Sequence, residues 1–174
     1  MSDLFDQVTD DQDPLTRLIS KIPGFSGYIE RENRRAADKL LRESTADRYQ
    51  EIWKKIGELQ KDLAGQSKLE YLDDLENAAI KVQTFIDKIR TASYGNSGFF
   101  DAIKINEDEL AALYDFDLTL LDSADEVQRA VENVLSSIGE EGMPAAVGHL
   151  VSLSRDLVSA YEKRSEAITA SSSE

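Results

Sequence analysis

His149, in the run VGHLV, is the chain's single histidine and the first place to look for acid–base or nucleophilic chemistry. A Ser-His-Asp relay on an α/β-hydrolase elbow needs G-x-S-x-G after a strand, and that pattern is absent. The apolar neighbours of His149 instead predict a partly buried histidine that caps a helical bundle. A di-iron carboxylate centre needs a Glu-x-x-His pair on each of two helices. Ala146 stands three residues before the only histidine, so that pair is missing. Asp115, Asp117 and Asp122 could offer oxygens to Mg²⁺ or Ca²⁺, but without the spacing of an EF-hand loop. Neither G-x-x-x-x-G-K-[ST] nor G-x-G-x-x-G occurs. With no cysteine, thiolate zinc sites, Cys-ligated iron–sulfur clusters and cysteine nucleophiles are excluded. No catalytic residue, metal site or cofactor is assigned, and the chain reads as a non-enzyme.

Binding chemistry is better represented. GFSGYIE at 24–30 and GNSGFFD at 95–101 share one pattern: glycine, any residue, serine, glycine, aromatic, apolar, acid. Glycines permit a reversal, serine can cap the next helix, and the neighbouring aromatic can tuck beneath it as a plug. That structural reading is the first explanation of the pair. The functional reading makes Phe25, Tyr28, Tyr94, Phe99 and Phe100 an aromatic surface for a partner, since interface hot spots favour large rings and loops carry function. Duplication of a helix-corner-helix unit and convergence on one good corner both fit the pattern.

Arg31, Arg35, Lys39 and Arg42 form a basic stripe, nearly opposite Ile29, Ala36 and Leu40 on the same helix. A solvated face is the simpler reading; docking to an acidic protein or an anionic membrane is the sharper one. Asp117 interrupts an otherwise apolar stripe, so it is a buried polar group with a partner such as Tyr161, Arg155 or Ser154, an edge residue with access to water, or a ligand contact.

Net charge is −14, unevenly placed. Residues 1–13 carry five Asp and no Lys or Arg, and residues 101–142 carry twelve acids against Lys104 and Arg129. Residues 28–65 hold nine bases against eight acids. This balance argues against sequence-independent nucleic-acid binding, which needs cations to release counterions. It suits solubility or a basic partner.

The elements that must position these residues are helical throughout. Leu72, Leu75, Ala79, Val82, Phe85/Ile86 and Ile89 step by threes and fours, with Ser67 and Glu70 as a capping box at the start. Tyr49, Ile52, Ile56, Leu59 and Leu63 make the stripe before it, with Trp53 alongside and Gly65 closing the helix. The stripe of Tyr28 to Glu43 is out of phase with that one, which predicts a break near Ser44 to Asp47. Asn106 opens a long helix whose stripe runs from Leu110 through Asp117 to Ile138. Gly139 and Gly142 end it, and Pro144 opens the last helix. Pro14 to Ile22 is a short helix stopped by Pro23.

The expected fold is all-α: an antiparallel bundle of about five helices with heptad-like packing and a short N-terminal helix. It forms one domain over 13–170, flanked by an acidic disordered tail at 1–12 and a flexible tail at 171–174. The N-terminal residues lack the basic and apolar regions of a secretory signal, and no apolar run approaches the roughly 18 residues of a membrane span. The expected function is that of a cytoplasmic, non-enzymatic adaptor, regulator or assembly subunit. It would dock a protein partner, or itself, through the aromatic corners, with charge asymmetry setting orientation. The alternative is a peripheral membrane protein using helix 28–43. An acidic mimic of DNA built on 101–142 is the weakest reading.

Overall fold

The computed structural model describes residues 14–30, 34–91 and 107–171. They form six α-helices: α1 Pro14–Lys21, α2 Phe25–Glu30, α3 Arg34–Gly65, α4 Leu72–Thr91, α5 Glu107–Ser136 and α6 Met143–Ser171. A 3₁₀ turn, Leu69–Tyr71, precedes α4. The described residues contain no strand, and none of their helices is long and apolar enough to cross a membrane. The expected tails at 1–12 and 171–174 lie outside the described residues, apart from Ser171 at the end of α6.

Three short connections are explained by local chemistry. Between α1 and α2, Pro23 and Gly24 make a tight turn, closed by the Phe25 N–H donating to Ile22 O at 3.2 Å. Gly24 supplies φ +84°, which a side chain would resist. The first glycine motif is therefore a turn followed by a helical turn, not a loop with Ser26 as its cap. Past α3, the Lys68 N–H reaches Leu63 O (2.9 Å) and the Ser67 N–H reaches Ala64 O (3.1 Å). This is the paired-bond C-cap in which one residue turns left-handed. That residue is Ser67, at φ 57°, and not the expected Gly65. Committed to ending α3, Ser67 does not form the expected capping box; Lys68 is the N-cap and has no side-chain cap bond. Beyond α5, the Glu140 N–H to Ser137 O bond (2.9 Å) closes a turn around Gly139 at φ +86°.

The expected break at Ser44 to Asp47 is absent: α3 is continuous. Its buried face steps through Ala37, Leu41, Thr45, Tyr49, Ile52 and Ile56. Thr45 can sit on that face because its hydroxyl donates to Leu41 O at 2.8 Å. The polar residue hides the continuity of the stripe. Along its length α3 packs on α2 as well as α4 and α5.

Helix directions follow from paired side chains. Arg90 meets Asp47 (2.8 Å) and Gln60 meets Glu76 (2.9 Å), so α3 and α4 are antiparallel. Arg48 pairs with Asp125 and Lys55 with Glu132, so α3 and α5 run in the same direction. Phe85 meets Tyr161 edge-on and Lys88 pairs with Glu162, so α4 and α6 also run together. The α3/α4 pair is thus antiparallel, whereas the α3/α5 and α4/α6 neighbours are parallel. Short connections force α3/α4 and α5/α6 to be neighbours, whereas α4 and α5 stand diagonally across the core.

That core is drawn from α3, α4, α5 and α6. Tyr49 sits at its centre, fully buried, edge-on to Phe85 (centroids 4.6 Å, 65°), with its hydroxyl donating to Leu120 O at 2.9 Å. Leu18 and Ile22 of α1 and Phe25 of α2 extend the buried interior on the flank where α1 packs on α5 and α2 on α3.

Burial, reinforced by Asp125 and only partly opposed by Arg48, holds the Tyr49 phenol well above its ordinary range. In the unfolded chain it ionises near its usual value of about 10, so its contribution is complete below that pH and declines as pH rises past it. Tyr49→Phe is expected to cost about 1 kcal/mol at neutral pH in urea unfolding, with the gap to wild type narrowing above about pH 10. Ser67→Gly relieves a left-handed side chain and is expected to stabilise by about 1 kcal/mol, read as a higher urea midpoint at unchanged slope.

Candidate functional site

The aromatic residues proposed for docking are not exposed as a set. Phe25 is 0% exposed and packs edge-on to Tyr114, centroids 6.0 Å apart at 83°. It is a plug, as the structural reading of the motif expects, and its ring is not available to a partner in this fold. Tyr28 falls in α2 but its side chain lies outside the described residues, as do Tyr94, Phe99 and Phe100 entirely. Whether the two glycine motifs meet in space therefore also lies outside them.

The basic stripe divides as well. Lys39 is exposed and sits 3.7 Å from Glu43 on its own helix. Arg42 is only 8% exposed and donates to Ile89 O at 3.3 Å, in the last turn of α4. A cation there satisfies a helix-end carbonyl and complements the helix dipole. Its position on a solvated stripe is corrected: it clamps α3 to α4. Arg31 and the side chain of Arg35 lie outside the described residues.

Asp117 is buried at 7% exposure, as its place in the α5 stripe predicts. Ser154 is also buried but turns its hydroxyl to Leu150 O in its own helix (2.8 Å). Tyr161 packs on Phe85, and Arg155 is exposed. Of the other carboxylates weighed for a cation, Asp115 is exposed and Asp122 is held by Arg17 (2.6 Å) and Lys21 (2.8 Å). Among the described residues no group of three or more His, Asp or Glu is placed to hold a metal ion. His149 is exposed on α6, not partly buried.

The surface with binding character lies elsewhere, in the outer groove between α3 and α4. Trp53, the chain's only tryptophan, is 38% exposed there. Its position follows from helix geometry: Ile52 points inward, and the next residue is turned by 100° onto the flank. Trp53, Lys54, Gly57, Glu58, Gln60, Lys61, Ala64 and Leu72 line a shallow cavity of about 680 Å³. The Gln60–Glu76 bond brackets the groove, and one turn farther along α4 lies Ile80, 51% exposed. A side chain at Gly57 would meet nothing within 4 Å, so this glycine is not required by packing. It leaves a notch one helical turn from the indole.

Sequence reasoning placed Trp53 beside the core stripe and did not single out the groove it lines. The usable signal was an apolar ring off the stripe followed by glycine at i+4 within a helix. The groove gives shape, an aromatic face and a rim that mixes Lys54 and Lys61 with Glu58.

A scan of family models and searches of curated proteins and of solved structures return no match to this chain.

Gly57→Ala removes a helix-interior glycine without a clash, and is expected to stabilise by about 1 kcal/mol. In a chain of this size the melting temperature should rise by about 2–4 °C. No rise would mean that backbone packing at Gly57, and not an open notch, explains the glycine.

Proposed function

We propose that this chain is a non-enzymatic, cytoplasmic interaction protein: a helical bundle that docks a protein partner through the α3/α4 groove centred on Trp53. The observation that carries the reading is the exposed indole on a groove that no other described helix covers. Burying a ring of this size supplies much of the energy of a protein interface, and tryptophan is among the residues most enriched at hot spots. Leu72 adds apolar surface to the groove and Ile80 lies exposed one turn of α4 beyond Glu76, while the rim mixes Lys54 and Lys61 with Glu58. Charge asymmetry then sets orientation and on-rate, and apolar burial sets affinity.

This reading moves the docking surface away from Phe25, which serves the core. It also weakens the membrane alternative, because Arg42 is engaged by α4.

A photo-crosslinking amino acid placed at Lys61 in native cells is expected to capture one discrete protein, and capture should fall at least about tenfold with Trp53→Ala, the loss of roughly 1.4 kcal/mol or more that a hot-spot ring carries. The same probe at Arg155, on the exposed side of α6, is the control. Equal capture from both positions, or capture at Lys61 indifferent to Trp53→Ala, would sink the assignment.

A further inference from the structure

The charges on the outer side of α3 follow a pattern that one kind of partner fits. Between Gln50 and Ala64 they are Glu51, Lys54, Lys55, Glu58, Lys61 and Asp62. Lys55 turns to Glu132 on α5, and Asp62 lies within about 20° of it around the helix axis. The other four alternate in sign along the face that looks away from the core: acid, base, acid, base. All four are exposed. Beside them, on the α4 side, Trp53 and the notch at Gly57 lie one helical turn and about 40° apart. Asp47 and Arg90 close the N-terminal end of this face with a pair of their own (2.8 Å).

A mixed rim does not suit a uniformly acidic or basic ligand, but a row of alternating charge complements itself when reversed. A second α3 can lie antiparallel to the first, with the two-fold axis level with residues 55 and 56. Gln50 then stands level with Lys61 of the second copy. To within one residue's rise, about 1.5 Å, Trp53 meets Gly57 of the second copy, Lys54 meets its Glu58, and Glu51 meets its Lys61. The two-fold repeats each contact, so both indoles find a notch. It also keeps like sides of the two helices together: Trp53 and Gly57 fall on one side of the contact line and the four charges on the other. Lys54 touches Glu51 of its own helix (2.8 Å), and an ammonium with three N–H donors can keep that bond while reaching a second carboxylate. A parallel pair would instead set each residue beside its own copy, lysine on lysine and glutamate on glutamate.

We propose that the α3/α4 groove is a two-fold interface between copies of this chain, in which Trp53 of each copy seats over Gly57 and against Leu72 of the other while the alternating charges of α3 fix an antiparallel register. The proposal rests on the docking reading of the groove and names its partner as a second copy. Exposed ion pairs contribute little affinity, so the rings carry the binding and the charges carry the orientation. A contact running from Gln50 to Lys61, about three helical turns, is at the small end of protein interfaces, and the dimer is therefore concentration-dependent.

Sedimentation velocity of the purified full-length chain over a dilution series is expected to show a reversible monomer–dimer equilibrium. Trp53→Ala should raise its Kd at least about tenfold. Gly57→Leu should do the same at unchanged helical content, since a Cβ at that position meets nothing within 4 Å in the monomer. Lys54→Glu/Lys61→Glu and Glu51→Lys/Glu58→Lys should each lose the dimer, and mixing the two should restore it as a heterodimer. The chain has no cysteine, so single substitutions can read the orientation. Gln50→Cys mixed with Lys61→Cys should form a disulfide-linked pair when oxidised. Either variant alone should not, because its two cysteines would stand about 16 Å apart along the axis. A monomer at every concentration would overturn the proposal. So would a dimer that Trp53→Ala leaves intact, or a disulfide that forms within either single variant and not in the mixture. If the chain is monomeric while the Lys61 crosslink in cells captures a different protein and loses it with Trp53→Ala, the docking groove stands and only the second copy fails.

Discussion

Tyr49 is the point on which the arrangement of the long helices turns. Its ring meets Phe85 edge-on, Phe85 meets Tyr161 in the same manner (6.3 Å, 87°), and its hydroxyl reaches a carbonyl inside the continuous helix α5. One side chain thus ties α3 to α4 and α5, and through Phe85 to α6. Edge-to-face pairs contribute about 0.5–1.5 kcal/mol each beyond area burial. Their larger effect is on register. A phenol buried this deeply needs an acceptor, because an unmade bond there costs more than a made one returns. Sliding α3 along α5 by one residue would strand the hydroxyl, so the pair of helices has one permitted alignment.

Much of the surface follows from that alignment. With Tyr49 opposite Leu120, Arg48 and Lys55 fall beside Asp125 and Glu132, and the acidic face of α5 is met by cations of its own chain. Arg17 and Lys21 of α1 do the same at Asp122. These pairs are exposed, and such pairs contribute only about 0.2–1 kcal/mol. They direct how helices face each other more than they hold them together. The cohesion comes from the apolar seam between them, in which Ile52, Ile56, Val82, Ile86, Val127 and Leu150 are essentially removed from water.

The groove is a by-product of the same geometry. Fixing Ile52 and Ile56 toward the core obliges Trp53 and Gly57 to stand on the α4 flank of α3. A tryptophan at that position exposes apolar surface, and a glycine beside it weakens the helix, so neither residue is explained by stability. The opposite flank shows the contrast: there α1 and α2 spend Leu18, Ile22 and Phe25 to bury their side of the fold.

The sequence by itself determined the all-α class and the inward faces of α4, α5 and the C-terminal half of α3, because stripes of period 3.6 leave no other way to bury so many aliphatic residues. It also located the ends of α1 and α5, where Pro23 and Gly139 act through their own backbone limits. It misplaced what depends on context. Ser67 had two local roles open to it, and the end of α3 claimed it. Thr45 concealed a continuous face because its hydroxyl is satisfied within the helix. Arg42 resembled its exposed neighbours until α4 supplied a carbonyl for it. Helix direction and the groove were decided only by tertiary structure. Periodicity says which face of a helix is buried; it carries no information on which helix lies against that face, or on which flank remains open beside it.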